Sequence, residues 1–338
     1  MPVTVRSFAK INLGLYIGSL RADGFHDLRT VYQTIALHDV IRVSIGRGTG
    51  IEIFCADPRV PCNESNTCYR VAERVMEELD ATGRVTIEIE KRLPVQGGLG
   101  AGSSNAVAAM IGLERALKKR LTQPKRLRIA AAVGSDLPMF VVGGTVLGVG
   151  RGEEVYPVAD LASTPGVIVT PEVGVSTPRA FADWDALAEN AAELRSARTG
   201  QRPVPTSSRA GLTHLDGSDR LLEVSRVLSA WLNSLYTGAS ARGRSRAGSL
   251  LLDLVRTGIE NDFEKVVFPQ HPDLRDIKGA LERAGAVYAS LSGSGSALYG
   301  LFRTGTAAAK AVNRLTKQGL RAEATTMLTR SQYWAKIV

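Results

Sequence analysis

Cysteine is scarce in this chain: Cys55, Cys62 and Cys68 are the three in 338 residues. An odd set with no Cys-x-x-Cys pair excludes a disulfide framework or a zinc ribbon and reads as reduced thiols in a cytoplasmic protein. Histidine is nearly as rare. The four residues His26, His38, His214 and His271 form no His-x-x-x-His pair, so a metalloenzyme built on imidazole ligands is not expected. Long apolar runs are missing too; none approaches the roughly 18 residues that cross a bilayer. Met1 to Lys10 lacks the charged start, apolar centre and small-residue cleavage site of a secretory signal. The formal charge is +9. A basic chain attracts polyanions, yet this arginine excess is spread through the sequence without the interleaved aromatics of a base-stacking surface. A phosphorylated small substrate profits from the same field.

With 44% hydrophobic and 22% charged residues, the composition is that of an ordinary globular protein. Its length points to two domains. Strand patterns fall at Val3–Ala9, Ile11–Ile17, Thr30–Leu37, Ile41–Ile45, Ile51–Cys55 and Val85–Ile89. Helical spacing appears over Asn66–Leu79, Ala106–Leu117 and Pro124–Val133. The chain turns loop-like near Leu161–Pro165, which sets expected domains of 1–162 and 163–338. The second half alternates helices (Asp219–Leu235, Asp273–Ala284, Thr306–Gln318) with strands (Val167–Thr170, Val287–Leu291, Ala297–Phe302, Arg321–Met327), an α+β pattern. Between about 190 and 250 the composition becomes rich in Gly, Ser and Arg, as in the run Gly238 to Arg246; mobile loops around one helix are expected there.

The densest chemistry lies in Pro94-Val95-Gln96-Gly97-Gly98-Leu99-Gly100-Ala101-Gly102-Ser103-Ser104. Glycines let backbone approach a ligand and adopt positive φ. A helix starting near Ser103 would turn its free N–H groups on the same spot. The Ser103 and Ser104 hydroxyls could cap that helix, bind phosphate or help ligate Mg²⁺. No Gly-Lys-Ser/Thr follows, so this is not the common P-loop, and no acidic residue about twenty positions on supports a dinucleotide site.

Phosphoryl transfer to an alcohol also needs charge neutralisation and a group at the attacking hydroxyl. Asp136, in Gly134-Ser135-Asp136-Leu137-Pro138, is the carboxylate candidate, and Lys10, in Phe8-Ala9-Lys10-Ile11-Asn12, its cationic partner. Phe25 and His26 sit together in a turn and could stack on a planar ring and bond its edge. A further small-residue loop, Ser292-Gly293-Ser294-Gly295, suits packing on a ligand or on the first loop. Each feature also has a plain reading: a flexible turn, a helix-capping Asp, a snorkelling edge lysine, an aromatic folded on the core, a tight strand connection.

Taken in order, Ala9-Lys10-Ile11-Asn12-Leu13, Ala22-Asp23-Gly24-Phe25-His26, the glycine-serine run, Gly134-Ser135-Asp136-Leu137-Pro138 and Ser292-Gly293-Ser294-Gly295 resemble the GHMP kinase superfamily. The first two motifs are most similar to those of its members acting on a cytidine-diphosphate sugar alcohol in non-mevalonate isoprenoid synthesis. The resemblance implies an N-terminal domain like ribosomal protein S5 domain 2 and a ferredoxin-like C-terminal domain. It further implies Asp136 as catalytic base with Lys10, ATP held by Pro94 to Ser104, Mg²⁺ at Ser104, and substrate contacts from Asn12, Phe25 and His26. A monomer or homodimer in the cytoplasm, with no nucleic-acid or membrane partner, is expected. Homoserine- or mevalonate-type kinases are the near alternative; an RNA-binding S5-like protein is the distant one. Three departures stand out: Phe25 where the family usually has Tyr, Gln96 and Ala101 in place of loop glycines, and the 190–250 insertion.

Overall fold

The computed structural model describes residues 1–199 and 258–338, with positions 221, 222, 225, 226 and 229 between them. Most of the expected helix Asp219–Leu235 and of the 190–250 insertion therefore lies outside the described residues, and the five described positions within that helix are helical. Two sheets carry the fold, which is α+β. In the first, β1 (Val3–Leu20) and β2 (His26–Gly46) form a long antiparallel hairpin. The free edge of β2 is shared: β4 (Arg84–Glu90) pairs with its second half and β5 (Thr145–Gly150) with its first. At the margins lie β3 (Ile51–Cys55), parallel to β4, and β6 (Glu154–Pro157), antiparallel to β5.

One face of this sheet is covered by α1 (Thr67–Glu78), α2 (Ala101–Leu117), α3 (Gln123–Val133) and the short α4 (Leu137–Val142). The helix α2 is buried nearly all round, and Gly112 lets it settle on β2: a Cβ there would lie 2.6 Å from Val43. The second sheet, ordered β10-β7-β9-β8, is antiparallel throughout: β7 (Pro165–Val169), β8 (Tyr288–Leu291), β9 (Leu298–Leu301) and β10 (Ala322–Thr326). Around it run α5 (Thr177–Thr199), α6 (Glu264–Gln270), α7 (Pro272–Arg283) and α8 (Gly305–Lys317). The closing α9 (Arg330–Lys336) returns to the first sheet, where Tyr333 donates to the Phe140 carbonyl at 2.7 Å.

Where the sequence pattern suggests two strands at Val3–Ala9 and Ile11–Ile17, the chain forms one. Lys10 does not interrupt it, because its ammonium finds polar partners below. Register shifts at Phe8/Lys10 and Asn12/Gly14 bracket the two polar residues instead, and such bulges re-aim side chains. The second half of the chain packs on the other side of this strand. Tyr299 donates to the Asn12 carbonyl at 2.7 Å and Tyr288 to that of Leu13 at 3.0 Å. Ile11, Leu13 and Ile35 share one buried cluster with Tyr299, Leu301 and Met327.

Candidate active site

The glycine-rich run links β4 to α2, and its conformation depends on its sequence. Gly98 and Gly100 take φ of +77° and +68°, a region costly for residues with a Cβ, and Gln96 takes +62° despite having one. A Cβ at Gly98 would lie 2.0 Å from the Ser292 carbonyl oxygen, so the two small-residue loops touch. Ser292 donates its hydroxyl to the Gly98 carbonyl at 3.0 Å, and Ala297 N–H bonds Gly97 O at 3.1 Å. The second loop thus packs on the first. The helix α2 starts at Ala101, two residues before the expected Ser103. Gly100, not a serine, stands at its cap, with no side-chain cap and no acid in the first turn. Its leading N–H groups are left to a ligand, an arrangement suited to phosphate.

Two cavities meet at this loop. One, of about 360 Å³, is lined by every residue from Pro94 to Ser103. The other, of about 710 Å³, is lined by Lys10, Asn12, Phe25, His26 and Asp136. Gly98, Gly100 and Ser103 line both. All the expected loop, catalytic and substrate residues except Ser104 therefore line one or both of two adjoining cavities.

In the larger cavity Lys10 is buried, with 4% of its side chain exposed against 35% for Asp136. Its Nζ lies 3.4 Å from Asp136 Oδ2 and donates to Asn12 Oδ1 at 2.8 Å. Asn12 in turn donates to Thr30 Oγ1 at 2.8 Å, which fixes the amide with its oxygen toward the lysine. Asp136 occupies the cap position of α4, yet its side chain makes no cap bond, so the capping alternative does not describe it. At the opposite end, His26 is buried at the first residue of β2 and its Nε2 lies 2.7 Å from Asp185 Oδ1. Phe25 is 50% exposed, with the Arg151 guanidinium 4.8 Å from its ring centre.

The profile of "GHMP kinases N terminal domain" matches residues 66–144, spanning both the loop and Asp136, and that of "GHMP kinases C terminal" matches 244–320. The 4-diphosphocytidyl-2-C-methyl-D-erythritol kinase of Solibacter usitatus is 37% identical over 92% of this chain and 84% of its own length. The chain belongs to the GHMP kinase family. A crystal structure of 4-(cytidine 5'-diphospho)-2C-methyl-D-erythritol kinase is similar at TM-score 0.66 and 26% identity, covering 96% of this chain and 99% of that one. A mevalonate kinase from L. major in complex with R-mevalonate shares the fold at TM-score 0.64 and 15% identity, over 97% and 96% of the two chains.

Within this GHMP kinase, one expected residue stands apart from the cavities. Ser104 is buried, accepts a hydrogen bond from Ser7 at 2.8 Å, and lines neither cavity. Neighbouring helical residues point about 100° apart, so only one of two adjacent serines can face the loop. Ser103 is the one that lines both cavities. Among the lining residues outside the sequence expectations are four that contact the site's functional side chains. Tyr32 donates to Asp136 Oδ1 at 3.0 Å. Phe181 stacks on His26 with ring centres 5.1 Å apart and planes 7° from parallel, and Asp185 follows it at i+4. Arg151 is held by Glu153 at 2.9 Å. Helical periodicity over 177–189 would have placed Phe181 and Asp185 on one face; Tyr32 carried no signal beyond that of a core strand.

Burial and the Asp136 charge raise the Tyr32 pKa well above its ordinary value. No group of three or more His, Cys, Asp or Glu capable of caging a metal occurs among the described residues. No described helix is long and apolar enough to cross a membrane.

Proposed function

We propose that the chain transfers the γ-phosphate of ATP to the 2-hydroxyl of 4-diphosphocytidyl-2-C-methyl-D-erythritol, a cytoplasmic step of non-mevalonate isoprenoid synthesis. The observation that carries this is the junction of the two cavities at Gly98, Gly100 and Ser103, with Lys10 and Asp136 just beyond it. ATP in the smaller cavity would place its phosphates on the loop amides and the positive end of α2. Mg²⁺, bound with the nucleotide, would neutralise phosphate charge; the Ser103 hydroxyl is positioned to contribute an oxygen. Asp136, held by Lys10, orients the acceptor hydroxyl and takes its proton as the new O–P bond forms and the bond to the bridging β-oxygen breaks, releasing ADP. The far end of the larger cavity supplies what a cytosine requires: Phe25 and Phe181 as ring faces and His26 as a hydrogen-bonding edge. A mevalonate or homoserine substrate has no ring to use them, which favours the cytidine reading.

The test is ADP release in the presence of the cytidine substrate and Mg²⁺. Wild type should turn over, and Asp136→Ala should lose on the order of 10²- to 10⁴-fold in kcat, the usual worth of a general base. Full activity in that variant, or turnover of mevalonate in preference to the cytidine substrate, refutes the assignment.

A further inference from the structure

The reaction as described leaves Tyr32 unused, although its hydroxyl lies closer to the Asp136 carboxylate than the Lys10 ammonium does. The residue lies on β2, opposite Asn12 of β1, and is only 2% exposed. Its hydroxyl donates to Asp136 Oδ1 at 3.0 Å while the Lys10 ammonium faces Oδ2 at 3.4 Å. Each oxygen of one carboxylate thus has its own partner, and the two partners come from adjacent strands. Room for the tyrosine is built in. A Cβ at Gly148 would stand 2.5 Å from the ring, and one at Gly152 would stand 2.5 Å from the hydroxyl oxygen. The same ammonium is 5.7 Å from the ring centre.

We propose that Tyr32 is a positioning residue for phosphoryl transfer: its hydroxyl fixes the rotation of the Asp136 carboxylate. This rests on the reading of Asp136 as the base. One hydrogen bond and one ammonium, on separate oxygens, remove the free rotation of a short side chain and leave a defined lone-pair direction for the acceptor hydroxyl. Because the phenol is buried beside an anion, it keeps its proton and stays a donor throughout the working pH range. The charged groups around the pair are few. Lys10 faces the carboxylate from β1, Tyr32 from β2, and Glu153, itself paired with Arg151, acts on Tyr32 from beyond β5. His26 and Asp185 line the same cavity and are bonded to each other.

Tyr32→Phe keeps the ring and removes only the donor. The Asp136 carboxyl carbon can be followed by NMR at fixed pH in protein labelled at aspartate, with its resonance assigned by its absence from Asp136→Asn. A changed chemical shift in Tyr32→Phe, from loss of the hydrogen bond to one carboxylate oxygen, is expected; an unmoved resonance overturns the proposal, whether or not the cytidine compound is a substrate. Site-specific 3-fluorotyrosine, a stronger donor, should move the same resonance the other way, and serves if the Phe variant folds poorly. In turnover, kcat should be lower by about tenfold with both KM values within about twofold. The double variant Tyr32→Phe/Asp136→Asn should be no slower than Asp136→Asn alone. Additive losses, or a loss confined to KM, would mean that Tyr32 does not act through Asp136. Absence of wild-type turnover with the cytidine compound would count against the functional reading and leave the carboxylate resonance test standing.

Discussion

Gly98 answers two demands at once: it takes φ of +77°, and it lies where a Cβ would meet the Ser292 carbonyl oxygen at 2.0 Å and Gly295 at 3.0 Å. The obstacle is backbone, which cannot swing aside. Gly98→Ala should push the two loops apart, weaken ATP binding at least tenfold by calorimetry and lower the melting temperature, with the helical circular dichroism retained. Wild-type ATP affinity in that variant would show that the loop contact does not shape the cradle. Gly24, with φ of +79° but open space around it, is the counter-example: only its backbone angle resists substitution. Sequence reading reached Lys10 and Asp136 because each is a charged group beside apolar residues, His26 because it stands next to Phe25 in a turn, and Asn12 through the family motif it belongs to. Tyr32 escaped because a tyrosine in an apolar strand looks like core, and its hydroxyl bond spans 104 residues. Ser103 and Ser104 are equivalent on paper; only the helix phase separates them.

Among the elements, strands and helices with clear period were legible, and their ends were not. The patterns Thr30–Leu37 and Ile41–Ile45 are one strand, β2, since the polar residues between them sit where β2 exchanges β5 for β4 as neighbour. The short α6, α9 and β6 were missed because four to seven residues hold too little period to see. The consequential miss is α5, whose mixed Ala, Asp and Trp composition shows no clean apolar stripe. It nevertheless brings Phe181 onto His26, and Thr177, hydrogen-bonded to Ser294 at 2.6 Å, ties its start to the second small-residue loop. If Phe181 forms one wall of a cytosine pocket, Phe181→Ala removes a stacking surface worth about 1–1.5 kcal/mol. KM for the cytidine substrate should then rise by about tenfold, with kcat and the KM for ATP little changed in steady-state assays. An unaltered KM would place the base elsewhere in the cavity.

At the scale of the whole molecule, β1 belongs to both halves of the chain. Val5 and Phe8 join the cluster beneath α1 and α2, while Ile11 and Leu13 join Tyr299 and Met327. Buried hydroxyls stitch the same seam, with Tyr288, Tyr299 and Tyr333 each donating to a backbone carbonyl far away in sequence. This way of holding two sheets together carries a definite pH signature. Burial pushes the Cys68 thiol up to about 12 from an ordinary 9.0 and raises the phenols of Tyr32, Tyr288, Tyr299 and Tyr333 above their ordinary 10.0. In each case the folded state keeps a proton that the unfolded chain releases first, so the unfolded state binds fewer protons and stability falls as pH rises. The loss should begin near pH 9 through Cys68 and steepen above pH 10 as the phenols join, at about 1.4 kcal/mol per pH unit for each group titrating only in the unfolded chain. Urea midpoints measured from pH 8 to 11 should be level at first and then drop sharply. Replacing Tyr288 and Tyr299 together by Phe should shallow that drop, because two of the withheld protons are gone. A profile level to pH 11 would mean that these phenols exchange with water and do not seal the seam.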